Sequence, residues 1–414
     1  MRLSDYEQSV LAGEEGEPRR FALEQQLVVG HFFDAEDFVE ITQAHVMADG
    51  EALGDVGVDL IERFAAEGPE MCRCLVPTIT DPRGVNAKTC RRLKQPEHSL
   101  AREQRIVTAL ETMGVLMTDT CINYQTIMPP IFGEHLAFGD TGSVIYANSV
   151  LGARSNFEGG AAALWAALTG RVPRYGYHLD GQRQGSRAFS LFACLRSWTD
   201  WGALGGLIGR RLNSYWEVPV LLGVRSPPSS DALKHFGAAL ASYGSTAMFH
   251  IVGVTPEAPD EATVLGRSTP APEPVTAADI EGFYNSFANP GVDVDVVVFA
   301  APQLSLFELQ SLAQLLDGRQ VNRDTALFAA TSPEVAQAAE RMGLVGRIEA
   351  AGGTVLEGIC FYQSYAREMA AANNWRHLVT NSAKLANIIG GYGYEPALAP
   401  MERCVEAAIT GRLS

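Results

Sequence analysis

From residue 147 to residue 160 the chain reads Ala147-Asn148-Ser149-Val150-Leu151-Gly152-Ala153-Arg154-Ser155-Asn156-Phe157-Glu158-Gly159-Gly160. Amide, hydroxyl, guanidinium and carboxylate groups crowd between glycines with no apolar period. Such a stretch reads as a polar loop around a small anion, because glycine lets backbone N–H groups approach and arginine grips a carboxylate with a two-pronged fork. Arg154 is the candidate clamp, with a surface ion pair to Glu158 as its other use. Asn148, Ser149, Ser155 and Asn156 offer neutral hydrogen bonds to substrate hydroxyl or carboxylate groups; turn chemistry inside the loop would use them as well. Further on comes Gly176-Tyr177-His178-Leu179-Asp180. On a strand His178 and Asp180 would share a face, and the carboxylate would raise the basicity of the imidazole. Upstream, Thr118-Asp119-Thr120-Cys121-Ile122-Asn123 sets Cys121 in a polar turn, where a merely packed thiol would have apolar neighbours. Cys360, between Ile359 and Phe361, reads as core by itself.

These groups need a frame. Residues 292–300, 325–330, 353–360 and 375–379 read as strands, and 277–287, 305–316, 332–350 and 382–389 as helices. Ser305 with Glu308 three positions on is a capping-box pattern. Strands alternating with helices of this length predict βαβ units and a parallel sheet. Ligands of such sheets sit at the carboxyl ends of the strands, so Ala301-Pro302-Gln303, Cys360 and Thr380-Asn381-Ser382 should face one crevice. The helix from Ser382 would offer its N-terminus to an anion there, and Lys384 would add positive charge. Earlier, 71–76, 114–117, 218–224 and 247–254 read as strands and 231–240 as a helix. Prolines at 256, 259, 270, 272 and 274 mark 255–276 as a linker between an N-terminal α/β part (1–254) and a C-terminal βα domain (277–414). Cys72-Arg73-Cys74 would lie on a strand as core rather than as a metal site. Gly205-Gly206-Leu207-Ile208-Gly209 lacks the strand-turn-helix setting of a nucleotide loop.

The chain has 414 residues, 47% hydrophobic and 19% charged, which suits a globular protein of two or three domains. A net charge of −16 would repel nucleic acid and anionic membranes. No apolar run approaches a membrane span, no leader pattern opens the sequence, and seven irregularly spaced cysteines do not form a disulfide framework. A cytoplasmic protein is the expectation.

The order of the Cys121 segment, the block 147–160 and the His178 segment resembles the catalytic region of aconitase X, a family of hydro-lyases related to aconitase. Leu11-Ala12-Gly13-Glu14-Glu15-Gly16, Ala44-His45, Val76-Pro77-Thr78, Val379-Thr380-Asn381-Ser382-Ala383-Lys384 and Cys404-Val405-Glu406-Ala407-Ala408 extend the likeness. The resemblance implies an α/β fold of layered domains with mostly parallel sheets, like the catalytic body of aconitase. It implies loss of water from a small hydroxy acid: cis-3-hydroxy-L-proline first, or a phosphorylated mevalonate. It places iron ligands at Cys121 and Cys360 and a ligand or acid at His45. Thr78, Asp140 and Thr141 join the substrate site, and Asp140 is one methylene shorter than the glutamate more frequent in the family. A small swivelling domain, fused or separate, brings a serine base; a separate small subunit is expected here. The family's Gly-Cys-Pro-His element reads Ala300-Ala301-Pro302-Gln303 in this chain. Two thiolates cannot hold an aconitase-type cluster, which leaves a mononuclear iron or zinc, a smaller iron–sulfur cluster, or no metal. A metal-free relative catalysing isomerisation or another elimination, and a non-catalytic partner of an active paralogue, are the rival readings.

Overall fold

The computed structural model describes residues 1–265, 271–287 and 291–413. Three parallel sheets organise the chain. The first holds β2 (Ala44–Val46), β3 (Thr78–Thr80) and β4 (Ala137–Phe138) in the order β3-β2-β4. Beside it, β1 (Phe38–Glu40) pairs antiparallel with β5 (Arg171–Pro173). The second runs β8-β7-β6-β9, from β6 (Arg187–Leu191), β7 (Pro219–Leu222), β8 (His250–Ile251) and β9 (Glu273–Val275). The third runs β12-β11-β10-β13-β14, from β10 (Val296–Leu304), β11 (Ala326–Thr331), β12 (Thr354–Glu357), β13 (His377–Thr380) and β14 (Glu395–Leu398). Every residue of β10 is buried, as a central parallel strand covered on both faces requires, and its β-branched start is the run visible in the sequence.

Several sequence expectations change. The segment 71–76 is not a strand: Pro69–Cys72 is a short helix with proline at its start, and Cys72 is buried at its end. Residues 114–117 make only an isolated bridge, Leu116 to Ile79. The long helix over 332–350 is two, Pro333–Arg341 and Leu344–Ala350, divided at Gly343 with φ +70°. The proline-rich stretch is more than a linker, because β9 pairs with β6 and Glu261–Leu265 is helical; residues 266–270, including Pro270, lie outside the described residues. Among the described residues no helix is long and apolar enough to cross a membrane.

Helices Trp198–Leu212 and Ser230–Gly244 cross at unusually close range. The glycines that resembled a nucleotide loop make this possible. A Cβ on Gly205 would stand 2.2 Å from the Phe236 carbonyl oxygen, and one on Gly209 2.9 Å from that of Leu240. Backbone cannot yield as a side chain can. Gly205→Ala should therefore cost roughly 2 kcal/mol or more, as overpacking does, read as a lower urea midpoint at unchanged m-value.

Candidate active site

The carboxyl ends of the first and third sheets meet. A parallel bridge joins Arg83, just past β3, to Ile359, just past β12. Arg83 N–H donates to the Gly358 carbonyl at 2.8 Å, and Cys360 N–H to that of Arg83 at 3.2 Å. Tips from two parallel sheets thus close one crevice, where such sheets bind ligands.

Its central feature is a buried ion pair. Lys384 Nζ lies 3.1 Å from Asp140 Oδ1, and both residues are 4% exposed. Asp140 follows β4 and caps helix Thr141–Val150, its Oδ2 accepting from Ser143 N–H at 2.9 Å. Burial alone would raise the Asp140 carboxyl; Lys384 and the Ser143 N–H hold it below its ordinary value. Burial would likewise lower Lys384, yet Asp140 and then the thiols of Cys121 and Cys360 push it above its usual range. Lys384 also sits 6.0 Å from the centre of the Tyr362 ring.

Beside this pair stand two groups that stay neutral. Asp81 follows β3, is 4% exposed, and its Oδ1 has no hydrogen-bond partner. Burial, then Asp140, raises its carboxyl well above the ordinary range, which keeps it protonated. His45, in β2, donates from Nε2 to the Thr120 carbonyl at 2.8 Å, so its unpartnered Nδ1 carries the lone pair. Burial lowers the imidazole. The 3.5 Å contact between His45 Nε2 and Asp81 Oδ1 therefore joins two uncharged groups.

Cys121 and Cys360 face the same space. Burial pushes up both thiols; Cys121 and Asp81 add to the effect on Cys360, and Asp140 and Asp81 to that on Cys121. Ala301, where the resemblance implied a third thiolate, has no thiol, and its carbonyl accepts from Ser382 Oγ. Gln303 lies against Cys121 instead: its N–H reaches Sγ at 3.4 Å and its Oε1 accepts from Cys121 N–H at 3.2 Å. Among the described residues no three His, Cys, Asp or Glu side chains converge as a metal site. This donor set does not fit a cluster held by three thiolates.

The Arg154 block is placed differently. Asn148 and Ser149 end helix Thr141–Val150 rather than lying in a loop, and Asn148 binds the carbonyls of Ser155 and Ala247, both at 2.9 Å. Ser149 Oγ accepts from Phe249 N–H, Ser155 Oγ from Phe138 N–H, and Asn156 Oδ1 from Tyr177 N–H. Arg154 bridges His135, two residues ahead of β4, at the end of that sheet away from the crevice. Its guanidinium pairs with Asp180, not Glu158, and donates to the His178 carbonyl at 3.2 Å. His178 and Asp180 lie in successive 3₁₀ turns, one buried and one exposed, so they share no face. His178 instead meets His135, Nδ1 to Nδ1, at 2.9 Å. Thr78 is buried at the start of β3 and donates to the Val76 carbonyl, while Thr141 follows Asp140 at the crevice. Ser382 spends its hydroxyl capping the seven-residue helix Ala383–Ile389.

Three acids escaped the sequence reading. Asp81 has no local signature. Glu158, regarded only as an ion-pair partner, is buried at the crevice end of the strand-like run from Arg154, and burial lifts its carboxyl to about 7. Asp49 caps helix Gly50–Ala66 just past β2, and burial lifts it to about 7.

The chain is similar to known proteins over nearly all of its length. The first, second and third domains of aconitase X match residues 1–181, 188–285 and 294–410. The phosphomevalonate dehydratase large subunit of Methanothermobacter thermautotrophicus is 35% identical over 93% of each chain. The cis-3-hydroxy-L-proline dehydratase of Pseudomonas aeruginosa is 33% identical over 99% of this chain and 70% of its own. The crystal structure of Thermococcus kodakaraensis aconitase X in its holo-form superposes with a TM-score of 0.87 at 28% identity, covering 99% of this chain and 100% of that one.

Asp49 gives a pH test. A carboxyl raised on folding contributes stability that is full below its unfolded value, near 4, and is lost as pH climbs to about 7. Asn caps as well as Asp. Asp49→Asn should therefore match the wild type at pH 4 and exceed it at pH 8 by on the order of 3 kcal/mol in denaturant unfolding. Equal differences at both pH values would show that Asp49 ionises freely.

Proposed function

We propose, from the premise that this chain belongs to the aconitase X family, that it is a hydro-lyase removing water from a small hydroxy acid. The observation that carries the reading is the buried Lys384–Asp140 pair at the meeting of the sheet tips, beside a buried Asp81 whose carboxyl burial raises well above its ordinary range. The Lys384 ammonium holds the substrate carboxylate and steadies the negative charge that grows when the neighbouring C–H proton leaves. The C–O bond on the adjacent carbon breaks, the departing hydroxyl takes the Asp81 proton, and water leaves as the double bond forms. His45, with a free Nδ1 lone pair, orders the hydroxyl or that water. A base for the C–H proton comes from a swivelling small subunit; relatives of matching length named "large subunit" support that partner.

The lining favours cis-3-hydroxy-L-proline as substrate. Asp81 is surrounded by Asp140, Asp49 and Asp119 with Lys384 as the one cation among them, an acid-rich lining that suits a zwitterion with a ring ammonium. A phosphorylated mevalonate, a heavier anion, would need more cations than the paired Arg83 and Lys384 supply; the near-complete length match to phosphomevalonate dehydratase large subunits supports it as the second reading.

Turnover decides. The purified chain with its small subunit should convert one of these acids to a product lighter by one water. Without the partner the rate should collapse. Lys384→Met with Asp140→Asn removes both charges without stranding either, so the protein should fold while kcat/KM falls at least about 100-fold, near 3 kcal/mol of lost transition-state binding. A double variant as active as the wild type would remove Lys384 from the reaction, and no elimination from either acid would overturn the reading.

Metal content is a separate test. The chain purified without oxygen should carry no stable four-iron cluster and at most about one metal ion per chain, because its donors lack a third thiolate. Ala301→Cys with Gln303→His should raise iron uptake. Several irons with matching sulfide in the wild type would mean that another cysteine supplies the ligand.

A further inference from the structure

Behind the crevice lies a second buried charge network that the proposed reaction does not use. Lys234, in helix Ser230–Gly244, is 1% exposed. Its Nζ donates to the Gln303 carbonyl at 3.0 Å and to Glu308, and lies 3.3 Å from Asp231. Glu308 is 1% exposed; its other oxygen is 2.7 Å from His235 Nε2, and it also accepts from Ser305 N–H at 2.8 Å. Ser305 in turn donates to Asp231 at 2.8 Å. Burying so many charges carries a desolvation cost that apolar packing would avoid. What the network holds is the peptide of Gln303.

Gln303 is 1% exposed and every polar atom it has is used. Its carbonyl is on Lys234, its N–H on Cys121 Sγ, its Oε1 on Cys121 N–H, and its Nε2 on the Asp119 carbonyl at 3.1 Å. Main chain and side chain grip the turn 119–121 from two sides. We propose that Gln303, anchored from behind by Lys234 and Glu308, is a positioning residue that clasps Cys121 and fixes where its thiol points in the crevice. The clasp occupies the neighbourhood of Ala301, where the family sequence carries a third thiolate. Hydrogen bonds here supply the rigidity that a shared metal would otherwise give to the turn.

The test is independent of the hydro-lyase reading, since it follows a thiol and not turnover. The full chain is pulsed with iodoacetamide and each cysteine's labelling rate is read by peptide mass spectrometry. Cys194, exposed, reports the reagent; Cys72 and Cys404, buried and bonded to none of the clasp's groups, report general loosening. Gln303→Met keeps length, volume and the main-chain bonds but loses both side-chain hydrogen bonds to the turn 119–121, and should speed labelling of Cys121 by about tenfold or more while Cys72 and Cys404 stay at wild-type rates. Gln303→Glu keeps the acceptor for Cys121 N–H and loses the donor to Asp119, so it should fall between the wild type and Gln303→Met. Lys234→Met with Glu308→Gln should also speed Cys121 selectively. An unchanged Cys121 rate in Gln303→Met overturns the proposal, and so does a rise shared equally by Cys72 and Cys404. Should Gln303→Met fail to fold, an unchanged Cys121 rate in Gln303→Glu overturns it.

Discussion

An ammonium group taken out of water must find an opposite charge, and Lys384 finds Asp140. The two come from sheets whose strands lie far apart in sequence: Asp140 follows β4 and Lys384 follows β13. Neither could be buried alone, because an isolated ion in a medium of low dielectric costs far more than a packed side chain returns. The pair therefore joins the first sheet to the third, beside the backbone bridge from Arg83 to Ile359. Their meeting also sets the protonation of the neighbourhood. Asp140 carries the charge; burial, with that charge added, raises the Asp81 carboxyl, and burial lowers the His45 imidazole against the opposing pull of Asp140. A cation, an acid with a proton to give and an imidazole with a free lone pair are the parts that an elimination from a hydroxy acid uses.

The rest of the chain serves that juxtaposition. The fully buried β10 supplies both Ala301 and Gln303 at its carboxyl end. The glycine-rich face of helix Trp198–Leu212 lets helix Ser230–Gly244 approach closely, and Lys234 on the latter reaches through to Gln303. Polar groups in the block 147–160 are largely spent inside the protein, where Asn148 and Asn156 tie turns together. They shape the edge of the first sheet, and only Glu158 and its glycines reach the crevice end.

Much of this was legible from local pattern. The capping box at Ser305 and Glu308 forms as read, and the strand tips expected to share a crevice lie near one another, with Ser382 Oγ on the Ala301 carbonyl and Cys360 near Cys121 and Lys384. The resemblance to aconitase X, read from a few short motifs, is met by matches to that family over residues 1–181, 188–285 and 294–410. What failed was of two kinds. Apolar alternation over 71–76 and the length of 332–350 were overridden by Pro69 and Gly343, whose backbone demands act before any period can. The second kind is long-range. A buried turn satisfied by Asn and Ser has the same composition as a loop awaiting a ligand, so Arg154 looked like a clamp while its guanidinium is engaged by Asp180 and His178. Asp81, one acid after three strand residues, acquires its role only from Asp140 and Lys384, and no window of sequence contains all three.

The most direct measurement is a crystal structure of the chain with its small subunit and a bound substrate acid or unreactive analogue. The account predicts the ligand carboxylate on Lys384, with the leaving hydroxyl toward Asp81 and the ring or chain between Cys121 and Cys360. A carboxylate held instead by Arg154, near His178 and Asp180 at the opposite end of the first sheet, would contradict it.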